Sequence, residues 1–469
     1  MGLFSAFHAG VSGLRMSQAG LQTVSHNVSN ADTEGYSRQR VDLAAYDPQQ
    51  RAGFQVGRGG YVDNVSRVHE RYLDYQVNRD RTLQGYYNGR EGVVGMVERL
   101  YSEAAEPTIG GSLDDFFNSA RELSQDPSSF GARREFVQSA DNVANAFQTL
   151  DRDLRTVQRG IDDTLADRLD SINRQAAIVG EMNARIVETE VDGSQSNDFR
   201  DRRDRAIREI AKLVDVNVFP QEDGTVSVQV ANRYTLVQQE QVARLEGVPN
   251  AANAGLLDIE YVSVSGARTD VTRRLDEGEI GGLLDTRDTV IAGQLADLDE
   301  LAFTFVNEVN AIHRVGVGLD GVGARDLFTA LPGQQFAAAS IAVDAAIEAD
   351  PLRVGAAIDP TVLPGDNRNL LDIAALQNTN QAALGSVPFN RRYAQLLHDV
   401  GATAQLNAQR AEFHDVRASQ SEALRESVVG VSIDDEMIDL TKFQKHFEAS
   451  SKVVTTVQSL LDTILQLVQ

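Results

Sequence analysis

Residues 2–30 read GLFSAFHAGVSGLRMSQAGLQTVSHNVSN. Within them Leu3, Phe7, Gly10, Leu14, Ser17, Leu21, Val24 and Val28 recur at alternating steps of four and three. That spacing lines one face of a helix and matches a coiled-coil seam. Gly10 and Ser17 leave notches where another backbone can approach closely. The run ends in Asn30-Ala31-Asp32-Thr33-Glu34-Gly35, a turn-forming cluster.

The other end of the chain has the same character. Ser432-Ile433-Asp434-Asp435 has the form of a capping box, a Ser followed at the third place by an acid. Two seams follow it. One is Ile433, Met437, Leu440, Phe447, Val454, Leu461, Leu465 and Val468. The other is Phe443, Val453, Val457, Leu460, Ile464 and Leu467. Together they make a broad apolar face that calls for more than one partner helix. Two seam-bearing termini far apart in sequence are expected to pair in space. So broad a face needs extensive packing to offset the entropy of ordering the tail. The terminal pair is therefore expected to be poorly ordered in a monomer and to fold on assembly.

Between the ends the period changes twice. Residues 36–70 are mixed, with a strand at 61–65 after Gly57-Arg58-Gly59-Gly60, and helical periodicity returns from about Val68. No proline occurs between Pro127 and Pro220; Leu150, Leu154, Val157, Ile161, Leu165, Leu169 and Ile172 there imply long helices, broken near 192–194. Val214, Val216 and Val218 alternate, as do Val226, Val228 and Val230, with Gln221-Glu222-Asp223-Gly224 between them, which reads as a β-hairpin. Ile259, Tyr261 and Val264 imply further strands. Helical steps resume at Leu284 and continue through Leu295, Phe305 and Ile312. Residues 316–395 carry five of the ten prolines and read as loops with a few short elements, and helix returns over 393–427. The fold class is mainly α with an inserted β domain. The terminal helices pair as a coiled coil, a second domain is helical, and an outer domain is β-rich. The boundaries expected are 1–32 plus 432–469, 33–211 plus 283–431, and 212–282.

With 469 residues, 42% of them hydrophobic and 24% charged, the chain is long enough for several domains with a sizeable core. Cysteine is absent, which excludes disulfides, thiolate metal sites and thiol nucleophiles. A net charge of −24 makes nucleic acid an improbable partner. No apolar stretch is long enough to span a membrane, and the first thirty residues lack the pattern of a cleavable signal.

The search for chemistry returns nothing convergent. Gly316-Val317-Gly318-Leu319-Asp320-Gly321 spells a dinucleotide fingerprint, but a helical stretch precedes it where a strand is required, so it reads as a loop. Asp434, Asp435 and Glu436 suit the positive end of a helix better than a metal. His8, His26, His69, His313, His398, His414 and His446 are scattered without metal-ligand spacing, and read as core or surface residues. The run Arg200-Asp201-Arg202-Arg203-Asp204-Arg205 reads most simply as a solvated helix face with mutual pairing rather than an anion site. No catalytic, metal-binding or cofactor-binding residue is expected, and no cofactor.

The run Ser12-Gly13-Leu14 … Asn27-Val28-Ser29-Asn30-Ala31-Asp32-Thr33-Glu34-Gly35-Tyr36-Ser37-Arg38-Gln39 resembles the signature of bacterial flagellar axial proteins of the rod, hook and hook-associated classes. It departs from that signature at Val28, Ser29, Asp32 and Glu34. The Gly-Tyr-Ser-Arg-Gln continuation is similar to that of the hook-associated protein 1 family. Three further blocks, Phe199–Val216, Leu301–Gly321 and Gly430–Val453, resemble that family in order along the chain. Residues 325–395 match it least.

The resemblance implies a structural protein exported through the flagellar type III apparatus, secreted, and assembled at the hook–filament junction. Its implied partners are further copies of itself in a ring or helical array, hook protein, the second junction protein (hook-associated protein 3), and an export chaperone on the C-terminal helix. No nucleic acid and no membrane insertion are implied. The family-motif residues are Ser12, Gly13, Leu14, Asn27, Asn30, Gly35, Tyr36 and Ser37. The assembly seam expected has Leu3, Phe7, Leu14, Leu21, Val24 and Val28 packed on Val453, Val457, Leu460, Ile464 and Leu467. Phe443 heads the C-terminal seam that meets the N-terminal one, and neighbouring subunits are expected to bury the other C-terminal seam, with Ile433, Met437, Leu440, Phe447, Leu461 and Leu465. The alternatives are another axial component (hook, rod or flagellin-like) and, more remotely, a surface filament protein with an enzymatic middle domain.

Overall fold

The computed structural model describes residues 2–51, 54–101, 108–191 and 193–468, with the side chains of residues 51, 54, 467 and 468 left out. The chain opens with helix α1 (Gly2–Ser29). Four strands follow: β1 (Gln39–Ala45), β2 (Gln49–Arg51), β3 (Phe54–Val56) and β4 (Gly60–Arg67). They form two nested antiparallel pairs, β2 with β3 and β1 with β4, the outer one running from Gln39 opposite Arg67 to Ala45 opposite Gly60. The sequence showed only the last of these strands. β2 and β3 have three residues each, too few to show a period, and the alternation of Val41, Leu43 and Ala45 in β1 is brief.

Helices α2 (Arg71–Leu100), α3 (Ile109–Gln125), α4 (Phe130–Thr189) and α5 (Asn197–Leu213) come next. Thr108 and Ser129 accept backbone N–H bonds as N-caps of α3 and α4. The proline-free stretch yields one continuous helix of 60 residues, with Leu154, Ile161, Leu165, Leu169, Ile172 and Val179 on its buried face. A four-stranded antiparallel meander follows: β5 (Val216–Pro220), β6 (Val226–Val230), β7 (Tyr234–Gln238) and β8 (Gln241–Val242). The hairpin read from alternating valines pairs Val216 with Val230 and Val218 with Val228. A three-stranded sheet, β9 (Arg244–Pro249), β10 (Leu257–Val262) and β11 (Arg268–Asp270), has β10 at its centre.

Helix α6 (Gly278–Asp285) runs through a π-helical stretch, Thr286–Ile291, into α7 (Ala292–His313). Short helices α8 (Ala337–Ser340), α9 (Ala345–Ala349) and α10 (Arg368–Ala375) punctuate the loop-rich segment. Two long helices close the chain, α11 (Phe389–Val429) and α12 (Ile433–Val468).

The core lies among α3, α4, α7 and the start of α11. Phe116, Phe117, Phe136, Phe305, Phe328 and Phe389 are fully buried there, in edge, tilted and stacked contacts with centroids 5.1 to 6.4 Å apart. The fingerprint-like glycines follow α7 as a loop, with Val317 bridging to Gly323 and to Ala357. His313 is a core residue. Its Nδ1 lies 2.8 Å from the Arg325 carbonyl and its Nε2 accepts from Gly355 N–H at 3.0 Å, and burial lowers its pKa.

Candidate assembly interface

Helices α1 and α12 lie side by side, antiparallel. Gly10 faces Val453 and Val454, Gly13 faces Ser450, Gly20 faces Phe443, and Asn27 reaches Glu436. As numbers rise along α1 they fall along α12, so the register is constant from Gly10 to Asn27. By that register the last turns of α12 run past the start of α1.

The face of α1 that meets α12 is turned by about one residue from the expected seam. Its buried residues are Gly10, Ser17, Gly20, Val24 and Asn27. Leu3, Phe7, Leu14 and Leu21 are half-buried on its flank, and Val28 is exposed. The reason is the glycines. A Cβ on Gly20 would sit 2.5 Å from the Phe443 ring, and one on Gly10 would sit 2.9 Å from Val454 Cγ2. Small residues let two backbones close up where leucines would hold them apart. On α12 the contact side carries Glu436, Leu440, Phe443, Ser450, Val454, Val457 and Leu461. Of the five α12 residues assigned to α1, Val457 is buried, while Val453, Leu460 and Ile464 are 44–46% exposed. The side chain of Leu467 lies outside the described residues. Ile433, Met437, Phe447 and Leu465 are also exposed. These exposed apolar side chains lie beside the contact with α1 and beyond its end rather than on one separate face of α12.

The motif residues each have a structural task. Ser12 faces the strand ribbon, within 3.4 Å of Gly60 N–H, while Gly13 takes the Ser450 contact and Leu14 lies beside them. Asn27 is 1% exposed and makes four hydrogen bonds. It donates to the Gln39 carbonyl (2.9 Å) and Glu436 (3.1 Å), and accepts from Gln39 N–H (2.9 Å) and the Tyr36 hydroxyl (2.7 Å). Burial, followed by the Asp198, Asp201 and Glu436 carboxylates, pushes the Tyr36 hydroxyl far above its ordinary pKa, so it stays a donor. Asn30 bonds back to the His26 carbonyl (2.9 Å) at the end of α1. Gly35 sits at φ +78°, a left-handed turn that glycine adopts without strain. Ser37 donates its N–H to Asp201 (2.9 Å).

Arg38 completes the lock. It lies 2.7 Å from Glu436 and 3.4 Å from Asp439, and its N–H donates to the Val429 carbonyl at the end of α11. The acids in the first turns of α12 therefore serve a clamp between the two ends of the chain as well as the helix dipole. Ser432 Oγ accepts from Asp435 N–H at 3.4 Å as the cap.

The charge run in α5 is solvated only in part: Arg202 and Arg205 are exposed and Arg203 pairs with Asp204 (3.4 Å), while the other side of the run is a buried junction. Asp201 and Arg203 are 7% and 3% exposed. Arg67 of β4 bonds Asp201 (2.7 Å) and Asp204 (2.6 Å); Arg203 donates to the Gly224 carbonyl (2.8 Å); Arg200 bonds Glu190 (2.6 Å). Burial alone would raise the Asp204 pKa, but the Arg67 and Arg203 guanidiniums outweigh it and hold it down at about 2. Alternate charges along the run find partners on different elements, which composition does not disclose. Nothing at this junction combines a nucleophile with a base, and among the described residues no His, Asp or Glu cluster is placed to hold a metal. No helix among them is long and apolar enough to cross a membrane.

Residues 94–328, half of the chain, match the family model described as the flagellar hook-associated protein FlgK helical domain. The chain belongs to the FlgK family. Residues 424–467 of this FlgK-family chain match a second model, the flagellar basal body rod FlgEFG protein C-terminal region. Among curated relatives it is similar to flagellar hook-associated protein 1 of Salmonella typhimurium, 26% identical over 99% of this chain and 100% of the relative. It is likewise similar to those of Escherichia coli (24%, 99% and 100%) and Bacillus subtilis (26%, 99% and 97%). Its fold matches the flagellar hook junction protein FlgK from Burkholderia pseudomallei with a TM-score of 0.66 at 14% identity, covering 75% of this chain and all of that one.

Proposed function

We propose that this chain is a structural subunit of the bacterial flagellum that joins hook to filament, and that it acts through a surface rather than a reaction. The observation that carries this reading, beside the family, is the exposed apolar surface of α12. Eight large apolar side chains from Ile433 to Leu465 stand exposed around a helix that packs on α1 along one face. Repeated identical subunits bury such a surface by heterologous contacts that close a ring or continue a helix. The unassembled surface is also the natural seat of an export chaperone. Hook protein and hook-associated protein 3 are the neighbours this role requires, outside the cell at the junction.

In this reading residues 1–32 and 432–469 form the assembling domain. Residues 33–211 with 283–431 form its helical support, and 212–282 the outer β domain. The match of 424–467 to the rod-type C-terminal region favours one rival, another axial position such as rod or hook.

Electron microscopy of a deletion strain, with flagellin assayed in the medium, separates the two. Hooks without filaments, and flagellin lost to the medium, support the junction. Absence of hooks moves the subunit to the rod or hook. Normal filaments refute both.

A further inference from the structure

Helix α11 runs antiparallel to α2. Arg425 meets Asp74 (2.7 Å) at one end of the contact, and Asn407 reaches the Tyr87 carbonyl (3.3 Å) further along. Between these points the seam mixes small apolar residues, Val77, Ala411 and Ala418, with buried polar groups. Asp80 is 1% exposed, with Arg417 Nε 2.8 Å away. Asp415 accepts from Gln84 (2.9 Å) and Asn88 (3.0 Å).

His414 lies flat on the Tyr87 ring in the middle of this seam, with centroids 4.7 Å apart and planes 8° from parallel. Its Nδ1 is buried and has no hydrogen-bond partner among the described residues. The charges around it are mostly positive. On its own helix Arg410 and Arg417 stand about one turn to either side. Arg410 already lies over the Tyr87 ring, 5.8 Å from its centroid, so that ring serves one cation. From α2 the facing carboxylate is Asp80, which Arg417 engages. Arg81 of α2 is turned to Glu209 (3.5 Å) and Glu422 (3.3 Å).

A neutral imidazole suits this place and an imidazolium does not. In the neutral ring one nitrogen carries no proton, and Nδ1 can be that one. In the charged ring both nitrogens carry N–H. A buried donor at Nδ1 would then face no acceptor, and a third cation would enter between two arginines. Burial first, then Arg417, lowers the His414 pKa, with Asp80 opposing. When the helices part, the ring reaches water and takes up its proton at the ordinary value of about 6.5. The open pair therefore binds more protons than the closed one, and acid favours opening.

We propose that His414 makes the middle of the α2–α11 pair an acid-released clasp, closed above about pH 6.5 and progressively opened below it. The clasp acts within one chain and does not depend on the junction reading.

The test is hydrogen exchange by mass spectrometry on the full-length monomer at about pH 7.5, 6.5 and 5.5, with each rate divided by the intrinsic rate at that pH. Peptides covering 80–91 and 407–421 should open about threefold or more often at the lowest pH than at the highest. His414→Phe keeps a stacked ring that cannot titrate, and should abolish the dependence. His69→Gln removes the histidine beside Asp74 (3.0 Å) at the far end of the contact, and should leave it. If His414→Phe fails to fold, His414→Gln takes its place. Equal opening at all three pH values, an unchanged dependence without His414, or its loss in His69→Gln would each overturn the proposal. NMR supplies a second reading on the unaltered chain. The His414 ring should titrate with a midpoint below about 6.5, and a midpoint at or above that value overturns the clasp as well.

Discussion

Replacing Asn27 by Ala should unlock the terminal helix pair while leaving the core intact. The carboxamide is buried and makes four hydrogen bonds, two with the backbone of Gln39 and one each with Tyr36 and Glu436. Glu436 keeps Arg38, and the half-buried Tyr36 hydroxyl can turn to water, so the main loss falls on the Gln39 N–H and carbonyl. Two orphaned backbone groups and one lost charge-assisted bond should cost about 3 kcal/mol. Local opening of β1 and the first turns of α12 should then be favoured about a hundredfold. Hydrogen exchange followed by mass spectrometry reads this directly. Amides around Gln39 and 433–443 should exchange about a hundredfold faster, while those of the Phe116–Phe136 region keep their protection. Unchanged protection at Gln39 would show that the network holds nothing, and would refute the lock.

Three further outcomes are expected. Gly20→Ala places a methyl group 2.5 Å from the Phe443 ring. Overpacking of about 1–3 kcal/mol outweighs the helix-propensity gain of about 1 kcal/mol, so α1 should lose exchange protection; a more protected α1 would contradict the close approach. Asp204, held at about 2 by Arg67 and Arg203, stabilises the fold above the unfolded carboxyl pKa of about 3.9. That contribution, about 2 kcal/mol, should vanish as pH falls from about 4 to about 2, and urea titrations of Asp204→Asn should lack this component of the acid loss. Leu460→Asp alters an exposed side chain, so monomer stability should change by no more than about 0.5 kcal/mol. Incorporation into flagella should nevertheless fail, and normal filaments on that variant would remove Leu460 from the interface.

Much of the architecture was legible because each element carries its period in its own residues. The alternating valines of β5 and β6, the proline-free α4 and the seams of α1 and α12 could be read without partners. The exact contact face of α1 could not. The pattern Leu3, Leu14, Leu21 marks the most apolar side, while the pair closes on Gly10, Gly13 and Gly20, because backbone proximity is decided by what is missing from a side chain. The spacing of those glycines, at three and seven residues, was the available signal. The Arg200–Arg205 run was half legible: Arg202 and Arg205 face solvent as charge normally does, while only the fold brings Arg67, the Gly224 carbonyl and Glu190 to the charges on its buried side.

The central claim is that the exposed apolar side chains of α12 become buried between subunits. The chain has no cysteine, so a single Leu460→Cys variant carries a unique thiol. Its maleimide labelling can be compared in the purified monomer and in isolated hook–filament structures. Rapid labelling of the monomer with protection in the assembly is the predicted result, and equal labelling in both would contradict the account.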